Sequence, residues 1–391
     1  MKAIYEFNKG VENDRSMFEP RISQLLDLRL DRRSKGPYQV LATENLQERL
    51  IQWLRESSMT VSQLKRMPGG ASKEQFTFMC ENTSGSVEKL VLRVDPLESI
   101  VETCRYREAE VLNALTGRLP LARTRMVDGD GSKLGQPALV TSFVSGVTKP
   151  PTDGKTLVSG VGTTFSREWR ERLAPQFVGN LAKIHDFDWR SATLPHFSPP
   201  TAFPTQAALW QVNWWSRVWR EDLVSPYPLL TLAESWMRRN LPICEDPVLL
   251  HGDYRTGNFM FDPVSGDMTA VLDWELAHIG DFHEDLAWMM QRLFAGASDE
   301  GTLFVCNLIT RDELIRQYEA ATGRTVNPRT LAFYEVLSAY KCAAMNLGTG
   351  AGIAQRGNNH QDLVLSWLSS VGHVFSSEIA RMISKELGYE S

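Results

Sequence analysis

Nine positions constrain this chain most: His251-Gly252-Asp253-Tyr254-Arg255-Thr256-Gly257-Asn258, and Asp273 fifteen residues further on, in Val-Leu-Asp-Trp-Glu. Between them, Phe259-Met260-Phe261 reads as a short apolar strand, Asp262 to Asp267 as a turn, and Met268 to Leu272 as the returning strand. A reversal at Ser265-Gly266 pairs residues whose numbers sum to 531, which sets Asn258 opposite Asp273. Directly opposed residues hold their Cβ atoms about 4.5–5.5 Å apart. An acid, an amide and a second acid are thereby expected around the base of one hairpin.

The length of 391 residues suits two domains or one bilobal unit with a large core. A hydrophobic share of 42% and a charged share of 23% match an ordinary globular chain, and the net charge of −5 argues against a general nucleic-acid binder. Cysteines 80, 104, 244, 306 and 342 form no CxxC pair, so reduced thiols in a cytoplasmic protein are expected and structural zinc is not. The start, Met1-Lys2-Ala3-Ile4-Tyr5-Glu6, carries no apolar core of a signal peptide, and no run of about eighteen apolar residues predicts a membrane span.

Residues 1–42 read as a polar extension, whose basic cluster near Arg29, Arg32 and Arg33 is expected to be a solvated face. Residues 43–144 read as a small, mainly antiparallel sheet lobe. Its strands are expected at Thr60–Leu64, Gln75–Cys80, Lys89–Val94, Arg123–Asp128 and Pro137–Phe143, with helices at Glu44–Glu56 and Val101–Leu115. Residues 145–391 read as a helical lobe. Helices are expected at Ser166–Phe187, kinked or broken by Pro175, and at Leu209–Trp219, Leu229–Asn240, Phe282–Phe294, Arg311–Thr322, Pro328–Leu347 and His360–Leu387. The fold class is α+β.

Phosphoryl transfer needs a phosphate cradle, metal ligands and a carboxylate set against the acceptor hydroxyl. Asp253 fits the last role. Asn258 and Asp273 offer the oxygen ligands that Mg²⁺ prefers. The turn Gly69-Gly70-Ala71-Ser72, between two strands, could present backbone N–H groups to phosphate, although a glycine pair more often just reverses a chain. The aromatic face Trp210, Trp214, Trp215 and Trp219 has two readings, core packing or a wall of the acceptor pocket.

His251-Gly252-Asp253 with Asn258, followed by Asp273-Trp274-Glu275, resembles the catalytic loop and metal motif of the aminoglycoside phosphotransferase family, which has a bilobal protein-kinase-like fold. Leu276 to Asp281, Glu284 to Trp288, Tyr254-Arg255 and the pattern Gln211-Val212…Trp215…Trp219 are similar to the kinase-like domains of acyl-CoA dehydrogenase family members 10 and 11. The resemblance implies ATP and Mg²⁺ as cofactors and a small-molecule acceptor, while the net charge and the lack of a long apolar run leave neither nucleic acid nor membrane expected as partner. It implies that Arg93 pairs with Glu108, at the strand position where protein kinases carry lysine, and that Thr141, Ser142, Phe143 and Val144 form the hinge that meets the adenine. His251 is expected to support the loop and Asp285 to brace it.

The acceptor side rests on Arg255, Glu275, Trp214, Trp215 and Arg217. An aromatic and basic wall there suits an apolar or anionic alcohol such as a hydroxyacyl-CoA. An aminoglycoside kinase and a nucleotide-binding pseudokinase scaffold remain the alternatives.

Overall fold

Strand β2, Glu74–Glu81, alternates buried and half-buried side chains along its length, as a strand with one face on a core must. It lies between β1 (Thr60–Arg66) and β3 (Val87–Val94) in a five-stranded antiparallel sheet of order β1-β2-β3-β5-β4, completed by β4 (Thr124–Asp128) and β5 (Ala138–Ser142). The computed structural model describes residues 17–36, 43–56, 58–67, 73–150, 162–298, 300–357, 359 and 362–386. Helix α1 spans Pro20–Arg33 and α2 spans Thr43–Arg55. Leu46, Leu50 and Leu54 of α2 meet Phe76, Phe78, Leu90, Leu92 and Val140 in the core of the small lobe.

Helix α3, Arg105–Ala114, is shorter than its apolar spacing predicts. The stretch before it instead wraps the buried Lys73 ammonium, which donates to Ser99 Oγ and Thr103 Oγ1, both at 3.0 Å. Tertiary contacts of this kind override a helical spacing.

The helical lobe carries α4 (Arg167–His185), α5 (Gln206–Asp222), α6 (Pro228–Arg239), α7 (His283–Met289), α8 (Arg311–Thr322) and α9 (Pro328–Ala343). A π-helical segment, Ala344–Gly350, joins α9 to α10 (Ala351–Arg356), and α11 (Asp362–Glu386) follows. Pro175 does not break α4. It sits on the solvent face, where the carbonyl that loses its partner can bond to water. Helix α7 stops at Met289, and a separate 3₁₀ turn covers Arg292–Phe294.

The basic cluster of the extension is not a solvated face. Arg29 and Arg33 pair with Asp222 of α5, Arg33 also with Glu98, and Arg32 with Glu102. Asp27 accepts from Arg217 at 3.0 Å and Glu19 from Arg107 at 2.8 Å. Ile22, Leu25 and Leu26 bury the apolar face of α1. The sequence shows the charges but not the acids that they meet, which lie on both lobes. Among the described residues, no helix is long and apolar enough to cross a membrane.

Candidate active site

Strand β6, Val248–Leu250, pairs with β9, His278–Gly280, and delivers the chain to the loop at His251. Gly252 takes a left-handed φ of 81°, and a Cβ there would stand 2.5 Å from the Leu276 carbonyl oxygen, so only glycine makes this turn. His251 is fully buried. Its Nε2 donates to the Leu272 carbonyl at 2.8 Å and its Nδ1 accepts the Asp253 N–H at 3.2 Å. Burial depresses its pKa, which keeps the ring neutral, as this pattern of one donor and one acceptor requires. Both ring nitrogens are thus engaged within the loop and its neighbouring strand.

Asp285 of α7 braces the same loop. Its Oδ2 accepts the His251 N–H and its Oδ1 the Gly252 N–H, both at 2.8 Å. His185 of α4 adds Nε2 at 3.1 Å, and the Tyr318 hydroxyl holds the other ring nitrogen at 2.7 Å. Burial alone would raise this carboxyl, but the His185 bond and charge and the loop N–H bonds outweigh it and hold it at about 2. A buried carboxylate that accepts several N–H groups behaves this way.

Asp253 stands at the loop's centre with both oxygens engaged. Oδ1 accepts from Arg255 Nε at 2.9 Å and from Trp288 Nε1 at 2.6 Å, and Oδ2 accepts from Asn258 Nδ2 at 2.6 Å. Asn258 Nδ2 also reaches the Asp253 carbonyl at 2.9 Å. With its amide hydrogens spent on Asp253, Asn258 keeps Oδ1 as its remaining side-chain acceptor.

The hairpin forms, one residue out of the predicted register. Strands β7 (Phe259–Phe261) and β8 (Met268–Val271) pair Phe259 with Val271 and Met260 with Ala270, sums of 530 rather than 531, then shift so that Phe261 meets Met268. The register shift leaves Thr269 as the extra residue of a bulge. The Asp262 side chain accepts the Val264 and Ser265 N–H groups, which fixes a wider turn than a two-residue reversal. Asn258 therefore pairs through its carbonyl with the Leu272 N–H at 2.8 Å, and Asp273 is the next residue. Asp273 adopts a left-handed conformation (φ 64°, ψ 56°) that turns the chain out of the strand.

Asp273 meets the small lobe directly. Arg93 of β3 gives Nη2 to Asp273 Oδ1 at 2.6 Å and Nη1 to Glu108 Oε1 of α3. Arg105 takes the second Glu108 oxygen, reaches Asp95 at 2.9 Å and lies 3.4 Å from Glu275. Lys73, with no exposed surface, lies 3.4 Å from Asp95 and 3.6 Å from Glu275. Burial pushes Asp273 up, but the Arg93 charge and hydrogen bond prevail and keep it ionised, below the usual carboxylate range. Three cations, Lys73, Arg93 and Arg105, thus face four carboxylates, Asp95, Glu108, Asp273 and Glu275. The ionised Asp273 carboxylate and the Asn258 amide oxygen are donors of the type that a hard divalent cation prefers.

Lys73, Arg105 and Trp288 are site residues that sequence reasoning missed. Arg105 was within reach, three positions before Glu108 on one helix face. Nothing local signals Lys73.

Gly69, Gly70, Ala71 and Ser72 lie outside the described residues. In the segment expected as the hinge, Thr141 is buried within β5 and Ser142 Oγ accepts the Arg123 N–H at 2.8 Å. The Phe143 N–H is bonded to the Lys89 carbonyl and Lys89 Nζ caps the Phe143 ring, while Val144 is half-buried.

On the acceptor side, Arg255 is turned into the catalytic loop, with a further bond to the Thr256 carbonyl and its guanidinium 4.9 Å from the Phe294 ring. Glu275 faces the small-lobe cations. Trp214 and Trp215 stack on each other at 5.0 Å, both within the core. Arg217 pairs with Asp27 of α1 and with Glu221. These placements favour core packing over a pocket wall for the tryptophans and put α1 on the face that Arg217 occupies.

The sequence profile of the phosphotransferase enzyme family matches residues 63–334, which span every group of the catalytic loop, the hairpin and the small-lobe cluster. The chain is 30% identical over 183 residues to acyl-CoA dehydrogenase family member 11 of Gallus gallus, a match covering 44% of this chain and 23% of that protein. To the Homo sapiens protein of the same name it is 25% identical over 324 residues, covering 80% of this chain and 38% of the relative. The chain spans well under half the length of these relatives. A putative aminoglycoside phosphotransferase from Ralstonia eutropha superposes with a TM-score of 0.61 at 22% identity, covering 85% of this chain and 98% of its own. A thermostable mutant of aminoglycoside phosphotransferase APH(4)-Ia, in a ternary complex with AMP-PNP and hygromycin B, gives 0.55 at 15% identity, covering 86% and 98%. Both likenesses speak for the fold: a small antiparallel-sheet lobe on a larger helical one.

Proposed function

Since the chain belongs to the phosphotransferase enzyme family, we propose that it transfers the terminal phosphoryl group of ATP to the hydroxyl of a small molecule. The observation that carries this reading is that Asp253 and Asn258 share one loop beside Asp273, which is itself held by Arg93 from the other lobe, with Glu108 fixing Arg93 in turn. A scaffold freed from catalysis has no chemical need for all five.

Asp253 accepts a hydrogen bond from the acceptor hydroxyl and takes its proton as the new O–P bond forms and the terminal bond of ATP breaks, releasing ADP. Asn258 and Asp273 would hold Mg²⁺, which when bound neutralises charge on the phosphates. Arg93, planar and always charged, suits phosphate oxygens while Glu108 and Arg105 fix its direction. The backbone at Thr141–Val144 is the expected contact of the adenine, and the sequence Gly69-Gly70-Ala71-Ser72 the expected contact of the phosphates.

For the acceptor, similarity to the acyl-CoA dehydrogenase family proteins supports a hydroxyacyl-CoA over a polycationic antibiotic. The five unpaired thiols support a reducing, cytoplasmic setting. The test is an ATP-consumption screen with Mg²⁺ across hydroxyacyl-CoAs, aromatic alcohols and aminoglycosides, with Asp253→Ala as control. Turnover on an acyl-CoA that vanishes in the variant is expected. Full turnover in Asp253→Ala would overturn the assignment. Preference for an aminoglycoside would overturn the acceptor class alone.

A further inference from the structure

We infer that Trp288 is a positioning residue for Asp253, selecting the carboxylate oxygen that meets the acceptor; the inference rests on the kinase reading above. Helix α7 grips the catalytic loop at two points. Asp285 holds the backbone N–H groups of His251 and Gly252, and Trp288, three residues on and on the same helix face, reaches the Asp253 side chain. The Trp288 indole N–H lies 2.6 Å from Oδ1, the same oxygen that takes Arg255 Nε. Oδ1 is therefore doubly occupied, whereas Oδ2 carries the single Asn258 contact. A carboxylate has about four lone-pair sites. The open position facing a hydroxyl is on Oδ2.

The indole is itself held still. Trp288 is 4% exposed, its ring packs at 6.0 Å on Phe294, and the Lys341 ammonium sits 5.2 Å from its centroid. Lys341 is fixed in turn by Glu284 at 2.7 Å, from the same helix as Trp288. A flexible donor such as lysine would not hold the Asp253 rotamer in this way. A rigid indole clamped by a buried cation does, because reacting groups need to be held within about 0.5 Å of their working geometry.

The test compares Trp288→Phe, which keeps a ring and removes the N–H, with Trp288→His, which keeps a ring donor. The wild-type enzyme is first shown to turn over an acceptor. With its best acceptor, Trp288→Phe is expected to lose about tenfold or more in kcat, toward the roughly hundredfold that a 1 Å misplacement can cost. The KM for ATP and the Mg²⁺-dependent thermal stabilisation by ATP should stay unchanged, and Trp288→His should recover part of the kcat. Unchanged kcat in Trp288→Phe would overturn the inference. So would equal losses in both variants accompanied by a matching rise in the KM for ATP, since that pattern belongs to packing. Absence of wild-type turnover on every acceptor would instead remove the kinase reading and this inference with it.

Discussion

Asp285→Asn changes the shape of the site least and its bonding most. The carboxylate now gives one oxygen to each of two backbone N–H groups at 2.8 Å and shares Oδ2 with His185 at 3.1 Å. An amide has one oxygen, so its NH₂ must face either the His251 or the Gly252 N–H. One buried donor is orphaned, at about 1–3 kcal/mol, and each surviving bond falls from charge-assisted to neutral, about 1 kcal/mol apiece. The loss sums to about 3–5 kcal/mol, a large part of the roughly 5–15 kcal/mol that holds a typical protein together. For 391 residues that corresponds to a fall of about 4–6 °C in Tm. Urea unfolding at pH 7, followed by far-UV circular dichroism, measures it, with an unchanged m-value as the sign that only stability moved. A loss below about 1 kcal/mol would refute the reasoning, because it would mean that the loop N–H groups do not depend on this acceptor.

Three further expectations follow from buried charges and thiols. Asp285 and Glu284 are held at about 2, below their usual 3.8 and 4.5; for Glu284 burial is opposed by Lys341 and then His278. Their contribution is complete above about pH 4.5 and drains as pH falls toward 2, so urea midpoints should drop steeply in that window and less steeply in Asp285→Asn. Lys341→Met strands Glu284 in the core and should cost about 3–5 kcal/mol, while Lys341→Met with Glu284→Gln should regain most of it in thermal unfolding. Burial pushes the Cys306 thiol up to about 12 and Cys342 higher still, so neither should react with a disulfide reagent at pH 8 until the protein unfolds.

The sheet lobe was legible because β2 and β3 alternate and are bounded by turn residues. The helical lobe was legible because Leu, Trp and Tyr recur at helical spacing. What spacing could not show was a tertiary contact and a bulge. The α3 start slipped from Val101 to Arg105 where the connecting segment bonds Lys73, and the hairpin register slipped by one through the bulge at Thr269. That Asp253, Asn258 and Asp273 come close together was readable because they are joined by short spacings across one hairpin. Lys73 and Glu275 lie more than two hundred positions apart, and their meeting depends on how the lobes stack. The tryptophan face shows the same limit: spacing put Trp214 and Trp215 on one helix, but only packing could decide between core and pocket.

Helix α1 precedes in the chain every carboxylate that its arginines meet. Its partners Glu98 and Glu102 follow some seventy residues behind it in the chain, and Asp222 lies 189 residues beyond Arg33. A nascent chain therefore carries the apolar face of Ile22, Leu25 and Leu26 in water until α5 and the β3–α3 connection have both been synthesised. Closing so long a loop costs entropy, which the contacts of α1 with both lobes offset together. Its arginines then find carboxylates from two lobes at once, and a misassembled pair of lobes offers them one side only. The seating of α1 thus depends on both lobes together, because its carboxylate partners come side by side only where the lobes meet.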